Sequence, residues 1–179
     1  MMRKITGLAA TALLFGAIAA TPAAAQARGY VGFGAGVAVP TGDFKNCCKT
    51  GFLGQVVAGI TGASGVLGGR VDGMYIRNNV KSPGSGHATH LGVNLDVVWT
   101  PGKRPASVHP YLLGGIGFFN SEFGNFDETK FAFNAGAGLQ VHMGAQMSFF
   151  GEARYLSVQT TGGSTNMIPI AIGLRWGGI

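Results

Sequence analysis

The chain has 179 residues, a formal net charge of +6 and only 11% charged residues, against about 25% in an average soluble domain. So few charges exclude an ordinary solvated surface. The Lys and Arg residues form no stripe or run along the sequence that would track phosphates, which excludes nucleic acid as a partner. The 32 glycines follow no three-residue period, which excludes a collagen-like repeat.

Arg3 and Lys4 precede an apolar stretch from Ile5 to Ala20, and small residues follow at Ala23-Ala24-Ala25. That order predicts a cleaved signal peptide over residues 1–25, cut between Ala25 and Gln26, with residues 26–179 forming one domain. Without Arg3 and Lys4 the remainder carries 11 cations against 7 acids, a net charge of +4.

The mature chain then repeats one pattern, an apolar residue at every second position, which gives a strand one apolar face and one small or polar face. The first strand spans Gly29 to Pro40, with Val31, Phe33, Val37 and Val39 on one face and Gly32, Gly34 and Gly36 on the other. Gly32-Phe33-Gly34 matches part of a dinucleotide fingerprint, but no helix pattern follows it. Pro40-Thr41-Gly42-Asp43 ends the strand as a turn and opens a connection of about eleven residues to Phe52, read as flexible. This connection holds the chain's two cysteines, Cys47 and Cys48. Their spacing fits neither a zinc site nor a disulfide framework, and the readings are a vicinal disulfide, an intermolecular bridge, or two incidental loop thiols.

Strands two and three are expected over Phe52 to Ile60 and Gly69 to Arg77. Strand four, Thr89 to Trp99, sets Leu91, Val93, Leu95 and Val97 against Gly92, Asn94 and Asp96. Strand five, His109 to Phe119, has an ambiguous parity because Leu112 and Leu113 are adjacent. Strand six, residues 131–143, alternates Phe131, Phe133, Leu139 and Val141 with Asn134, Gly136, Gly138 and Gln140. Strand seven is expected over Met147 to Val158 and strand eight over Met167 to Trp176.

A soluble barrel would carry many charges on its outer face, and this chain does not have them. The apolar faces therefore point to lipid, and the chain reads as all-β, an eight-stranded antiparallel up-and-down transmembrane barrel. With the N-terminus in the periplasm, the outer connections fall near 41–51, 79–87, 120–130 and 159–165 and are longer than the periplasmic ones. Tyr30, Trp99, Tyr111 and Trp176 are expected in one interfacial aromatic girdle, and Phe52, Phe119 and Phe131 in the other.

Arg70, Asp72, Asn94, Asp96, Gln140, His142, Glu152, Arg154 and Arg175 mostly share the polar parity. A barrel this narrow is filled by side chains, and buried charges must pair. The expectation is a structural polar network that plugs the lumen, with a narrow small-solute or ion pore as the alternative. Asp43, Glu122, Asp127 and Glu128 lack the twelve-residue loop of alternating oxygen ligands that would hold calcium, so neither a metal nor a cofactor is expected.

Three segments resemble the OmpA/OmpX-type family of small outer-membrane barrels, the group of opacity-like surface proteins. They are Tyr30-Val31-Gly32-Phe33-Gly34-Ala35-Gly36 with Pro40-Thr41-Gly42-Asp43-Phe44, the central His109-Pro110-Tyr111-Leu112-Leu113-Gly114-Gly115-Ile116-Gly117, and the closing Ile168-Pro169-Ile170-Ala171-Ile172-Gly173-Leu174-Arg175-Trp176. The resemblance covers essentially the whole mature chain. It implies the outer membrane as location, outer-membrane lipid as surroundings and the barrel-assembly machinery as a partner, although here Gly177-Gly178-Ile179 follows the terminal aromatic Trp176. Members of the family include tethers, adhesins and resistance factors. The implied role is a non-enzymatic surface or envelope protein whose outer loops, Lys45 to Thr50 and Ser121 to Lys130, are available to an extracellular or envelope partner.

The rival reading is an outer-leaflet enzyme acting on lipid. Ser85, His87 and His90 near one outer connection, with Glu122, Asp127 and Glu128 on the next, supply the residue types of a nucleophile, a base and an orienting acid. Their spacing does not match the His-x-Ser arrangement of the barrel deacylases.

Overall fold

Alternation of apolar with small or polar residues produces eight strands: β1 (Arg28–Thr41), β2 (Gly51–Thr61), β3 (Leu67–Asn79), β4 (His87–Trp99), β5 (Val108–Phe123), β6 (Phe126–His142), β7 (Met147–Thr160) and β8 (Gly163–Gly177). The computed structural model describes residues 27–81, 86–101, 107–123, 126–160 and 163–178. The expected signal peptide, Ser85 and the Asp127 side chain lie outside them.

Each strand pairs antiparallel with its sequence neighbours, and β8 closes on β1. Paired residues can be followed once around the wall from Tyr30 through Gly59, Arg70, Asp96, Gly115, Asn134, Leu156 and Met167. The path returns to β1 at Pro40, a register shift of ten residues from Tyr30 to Pro40. That shift tilts the strands, by roughly 35–45° in barrels of this kind, and fixes a lumen only wide enough for side chains. Every strand is paired on both sides, so no edge is left for hydrocarbon to meet.

The outward face is apolar along its length. Val31, Phe33, Val56, Leu91, Leu95, Val97, Ile116, Leu139 and Ile172 are all exposed there, the inverse of a soluble core and the pattern expected against lipid. On β5, Leu112, Ile116 and Phe118 face out while Tyr111, Leu113 and Phe119 face in, which resolves the ambiguous parity. Trp99 and Trp176 lie outward near the end that carries the termini, and Phe52, Phe118 and Phe131 lie outward near the distal end. Phe119 belongs to no girdle. It is fully buried in the lumen, where its ring occupies the space a side chain at Gly92 would need.

The distal half of the lumen is an apolar plug of Leu53, Met74, Ile76, Phe119, Leu156, Val158 and Met167, with Phe44 packed against it. Phe44 opens α1 (Phe44–Cys47), a single helical turn in the connection read as flexible. That connection is pinned at several points. Asn78 Nδ2 donates to the Ala38 carbonyl at 3.1 Å and to the Lys49 carbonyl at 2.9 Å. The Lys81 and Lys49 amides donate to the carbonyls of Cys47 and Asn79, each at 2.8 Å. Cys47 and Cys48 are joined by a disulfide with Cα atoms 3.8 Å apart.

The third distal connection also departs from expectation. The β5–β6 ladder runs on through Glu122 and Asp127 to Phe123 and Phe126, so residues 120–123 and 126–130 of the segment read as the loop 120–130 are paired strand. β5 has 16 residues and β6 has 17, more than the about 9–11 that cross a bilayer, so the hairpin extends beyond the membrane.

Two outcomes follow from this packing. Gly92→Val forces a branched side chain into the Phe119 ring and should cost about 1–3 kcal/mol, read as a lower urea midpoint of the refolded barrel. Changing Cys47 and Cys48 together to Ser should leave heat-modifiable gel migration and thermal unfolding nearly unchanged. A bond between chain neighbours closes too small a loop to restrict the unfolded state much, and the backbone and Asn78 hold the connection in any case. Loss of the folded band in the double variant would show that the disulfide has an assembly role.

Candidate functional site

The polar parity of the strands aims its side chains into a lumen too narrow to hold them apart. β3 contributes Arg70 and Asp72, and the register sets them opposite Asp96 and Asn94 of β4. β7 contributes Glu152 and Arg154, β6 Asn134 and β2 Gln55.

Arg70 donates from Nη1 to Glu152 Oε2 at 2.7 Å and from Nη2 to Oε1 at 3.0 Å, a two-pronged pair. Its Nε lies 3.1 Å from Asp72 Oδ2. Arg154 bridges all three acids, reaching Asp72 Oδ2 at 2.8 Å, Asp96 Oδ2 at 3.1 Å and Glu152 Oε1 at 2.7 Å. The amides complete the set. Asn94 Nδ2 donates to Asp72 Oδ1 at 3.0 Å, Asn134 Nδ2 to Asp96 Oδ1 at 2.8 Å, and Gln55 Nε2 to Glu152 Oε1 at 3.3 Å. All of these side chains are buried, so each charge depends on protein partners in place of water.

A second cluster sits nearer the terminal end. The Arg175 guanidinium lies 4.9, 5.0 and 4.8 Å from the ring centres of Tyr30, Tyr111 and Phe150, and each such contact favours a cation. Arg175 also donates to Gln140 Oε1 at 3.1 Å and to the Tyr111 hydroxyl at 3.3 Å. The same hydroxyl donates to Glu152 Oε2 at 2.7 Å, linking the two clusters. With Arg175 included, Arg70, Arg154 and Arg175 face Asp72, Asp96 and Glu152, a neutral group of three cations and three anions.

Tyr30 and Tyr111 are therefore not members of an interfacial girdle. Both are buried in the lumen, and the reason is steric. The Tyr30 ring takes the space above Gly59 and the Tyr111 ring that above Gly138, where an added Cβ would collide with either ring. Only Trp99 and Trp176 of the four aromatics lie on the outward face.

Gln140, His142 and Ser148 form a polar group near the terminal mouth, with Gln140 Nε2 donating to Ser148 Oγ at 3.0 Å and His142 Nδ1 lying 2.9 Å from it. Sequence reasoning missed Gln55, Asn134 as a hydrogen-bond donor to Asp96, and Phe150. The signal available for each was its place on the inward parity.

The residues considered for lipid chemistry do not converge. His87 faces outward beside Arg77, with Nδ1 3.3 Å from Arg77 Nη2, whereas His90 faces inward and is buried. His90 instead meets Ser121, its Nδ1 2.8 Å from Ser121 Oγ, with the Phe44 ring edge-on at a centroid distance of 5.6 Å. No three His, Cys, Asp or Glu side chains among the described residues are arranged to hold a metal.

Arg154→Ala would leave the buried Asp72, Asp96 and Glu152 with Arg70 as their remaining cation nearby. Removing one partner of a buried ion pair costs about 3–5 kcal/mol, so the urea midpoint should fall markedly. An unchanged midpoint would mean that these groups are solvated.

The family model of the outer membrane protein beta-barrel domain matches residues 8–175. The chain is similar in structure to Neisserial surface protein A, with a TM-score of 0.64 at 15% identity over 83% of this chain and 96% of that one. It is similar to a major outer membrane protein from Thermus thermophilus, with a TM-score of 0.59 at 13% identity over 84% and 98%. It is also similar to Ail, the attachment invasion locus protein of Yersinia pestis, with a TM-score of 0.56 at 16% identity over 85% and 99%. No curated protein matches in sequence. The structural likenesses carry the fold, the family match spans nearly the whole chain, and the chain belongs to the outer membrane protein beta-barrel domain family.

Proposed function

We propose that the protein is a non-enzymatic outer-membrane barrel with a closed lumen, acting through its distal surface rather than by passing solutes. The observation that carries this reading is the content of the lumen. A neutral network of three arginines and three acids fills the terminal half, and an apolar plug capped by Phe44 fills the distal half. A pore needs a continuous polar path, and in the distal half the buried polar side chains Asn78, His90 and Ser157 are set among the apolar residues of the plug. At the terminal mouth two recesses of about 30 and 40 Å³ have room for a few waters only.

An enzyme acting on lipid has one observation in its favour, the imidazole–hydroxyl contact of His90 and Ser121. That pair faces the plugged lumen, away from the lipid face, and His90 Nε2 is buried without a hydrogen-bond partner among the described residues. An activated hydroxyl needs a base oriented by a third group and a substrate path, and among the described residues neither accompanies this pair.

Planar-bilayer recording of the refolded barrel should show no steady, porin-sized conductance; large stable channels would refute the closed reading. Mass spectrometry of lipid A and phospholipids from cells with and without the protein should show identical acyl chains. A defined change in acylation would instead establish the enzyme.

A further inference from the structure

The exposed charges at the distal end are segregated. Lys45 and Lys49 on the β1–β2 connection, Arg77 near the end of β3 and Lys81 just beyond it are all exposed. They are far apart in sequence but are brought to one side of the rim. The Lys49 and Lys81 backbone N–H groups donate to the carbonyls of Asn79 and Cys47, Cys48 pairs with Val80, and Lys81 Nζ donates to the Lys45 carbonyl.

Arg77 marks the depth of this group. It points outward from the strand, paired across to Phe52 of β2 and two residues from the exposed Tyr75, so its guanidinium sits at the upper edge of the apolar belt. Its side-chain contact is the His87 ring, and among the described residues no acid pairs with it. Asp43 is the acid on this side. Glu122 and Glu128 lie across the rim on the β5–β6 hairpin, where Glu128 is paired with Lys130 at 2.6 Å.

We infer that this basic face binds the phosphate groups of a phosphorylated glycolipid in the outer leaflet around the barrel. The cations run down the wall from the rim to the edge of the apolar belt, the depth at which lipid headgroups lie, rather than across the mouth where a soluble polyanion would settle. An outward guanidinium presents its paired N–H donors to phosphate oxygens, and neighbouring ammonium groups add point charges. The inference rests on the reading of the distal end as the outward-facing one.

The test uses the full refolded barrel in a neutral detergent with chelator present. It is titrated with bisphosphorylated lipid A or its dephosphorylated form and followed by native mass spectrometry. The intact protein should bind the phosphorylated lipid at least about tenfold more tightly, a difference of about 1.4 kcal/mol. Lys49→Gln, Arg77→Gln and Lys81→Gln combined should abolish the preference, and Lys130→Gln should keep it. Heat-modifiable migration establishes that each variant is folded. If the triple variant fails to fold, Arg77→Gln alone should reduce the preference, and salt should weaken it in the intact protein. Equal binding of the two lipids, or a folded triple variant that keeps the preference, overturns the inference. So does a sulfated oligosaccharide that binds from solution where lipid A does not. The conductance of the barrel is measured without lipid A, so failure here leaves the closed-lumen reading standing.

Discussion

Glu152 is the point on which the lumen is organised. Its two oxygens receive hydrogen bonds from Gln55 on β2, Arg70 on β3, Tyr111 on β5 and Arg154 on β7. One carboxylate thus ties its own strand's Arg154 to groups from three other strands. Because it is buried, its charge is tolerable only while those donors stay in place. Arg154 extends the same constraint to Asp72 and Asp96, and Tyr111 extends it to Arg175. The interior therefore behaves as one electrostatic unit, and a change at any member leaves a charge elsewhere without its partner.

The rest of the packing accommodates this unit. The register shift of ten fixes the width of the lumen, and within that width large inward side chains need small ones opposite. Phe119 fits because position 92 is glycine, and Tyr30 and Tyr111 fit because positions 59 and 138 are. The high glycine content that makes the sequence look loose is, at these positions, the space that lets aromatic rings lie flat against the inner wall.

A filled interior shifts attention to the ends. The terminal mouth leads directly to the Arg175 cage, and the distal mouth is sealed by α1 and the apolar plug. What distinguishes the distal end is its distribution of charge, basic over β1 to β4 and acidic with an internal ion pair over β5 and β6. A closed barrel with a polarised rim is suited to holding a position among lipids and partners in the outer membrane.

The period-two pattern by itself determined the number of strands, their approximate bounds, which face meets lipid and which charged residues share the lumen, because side-chain direction in a strand is a local property of the backbone. Tyr30 and Tyr111 show where a residue-type argument overrode that signal. Both share the inward parity of their neighbours, Gly32 and Leu113, and an expectation of amphipathic aromatics at interfaces drew them outward. The tertiary structure alone decided which lumen groups pair, since Arg154 meets Asp72 and Asp96 through the register of the closed sheet across 82 and 58 residues of chain. It alone decided that residues 120–123 and 126–130 continue as a ladder and that Lys49 is pinned by Asn78. It also gathered Lys49, Arg77 and Lys81, scattered along the chain, onto one side of the rim. These features depend on closure of the barrel, which sets distances between strands that no local pattern of residues records.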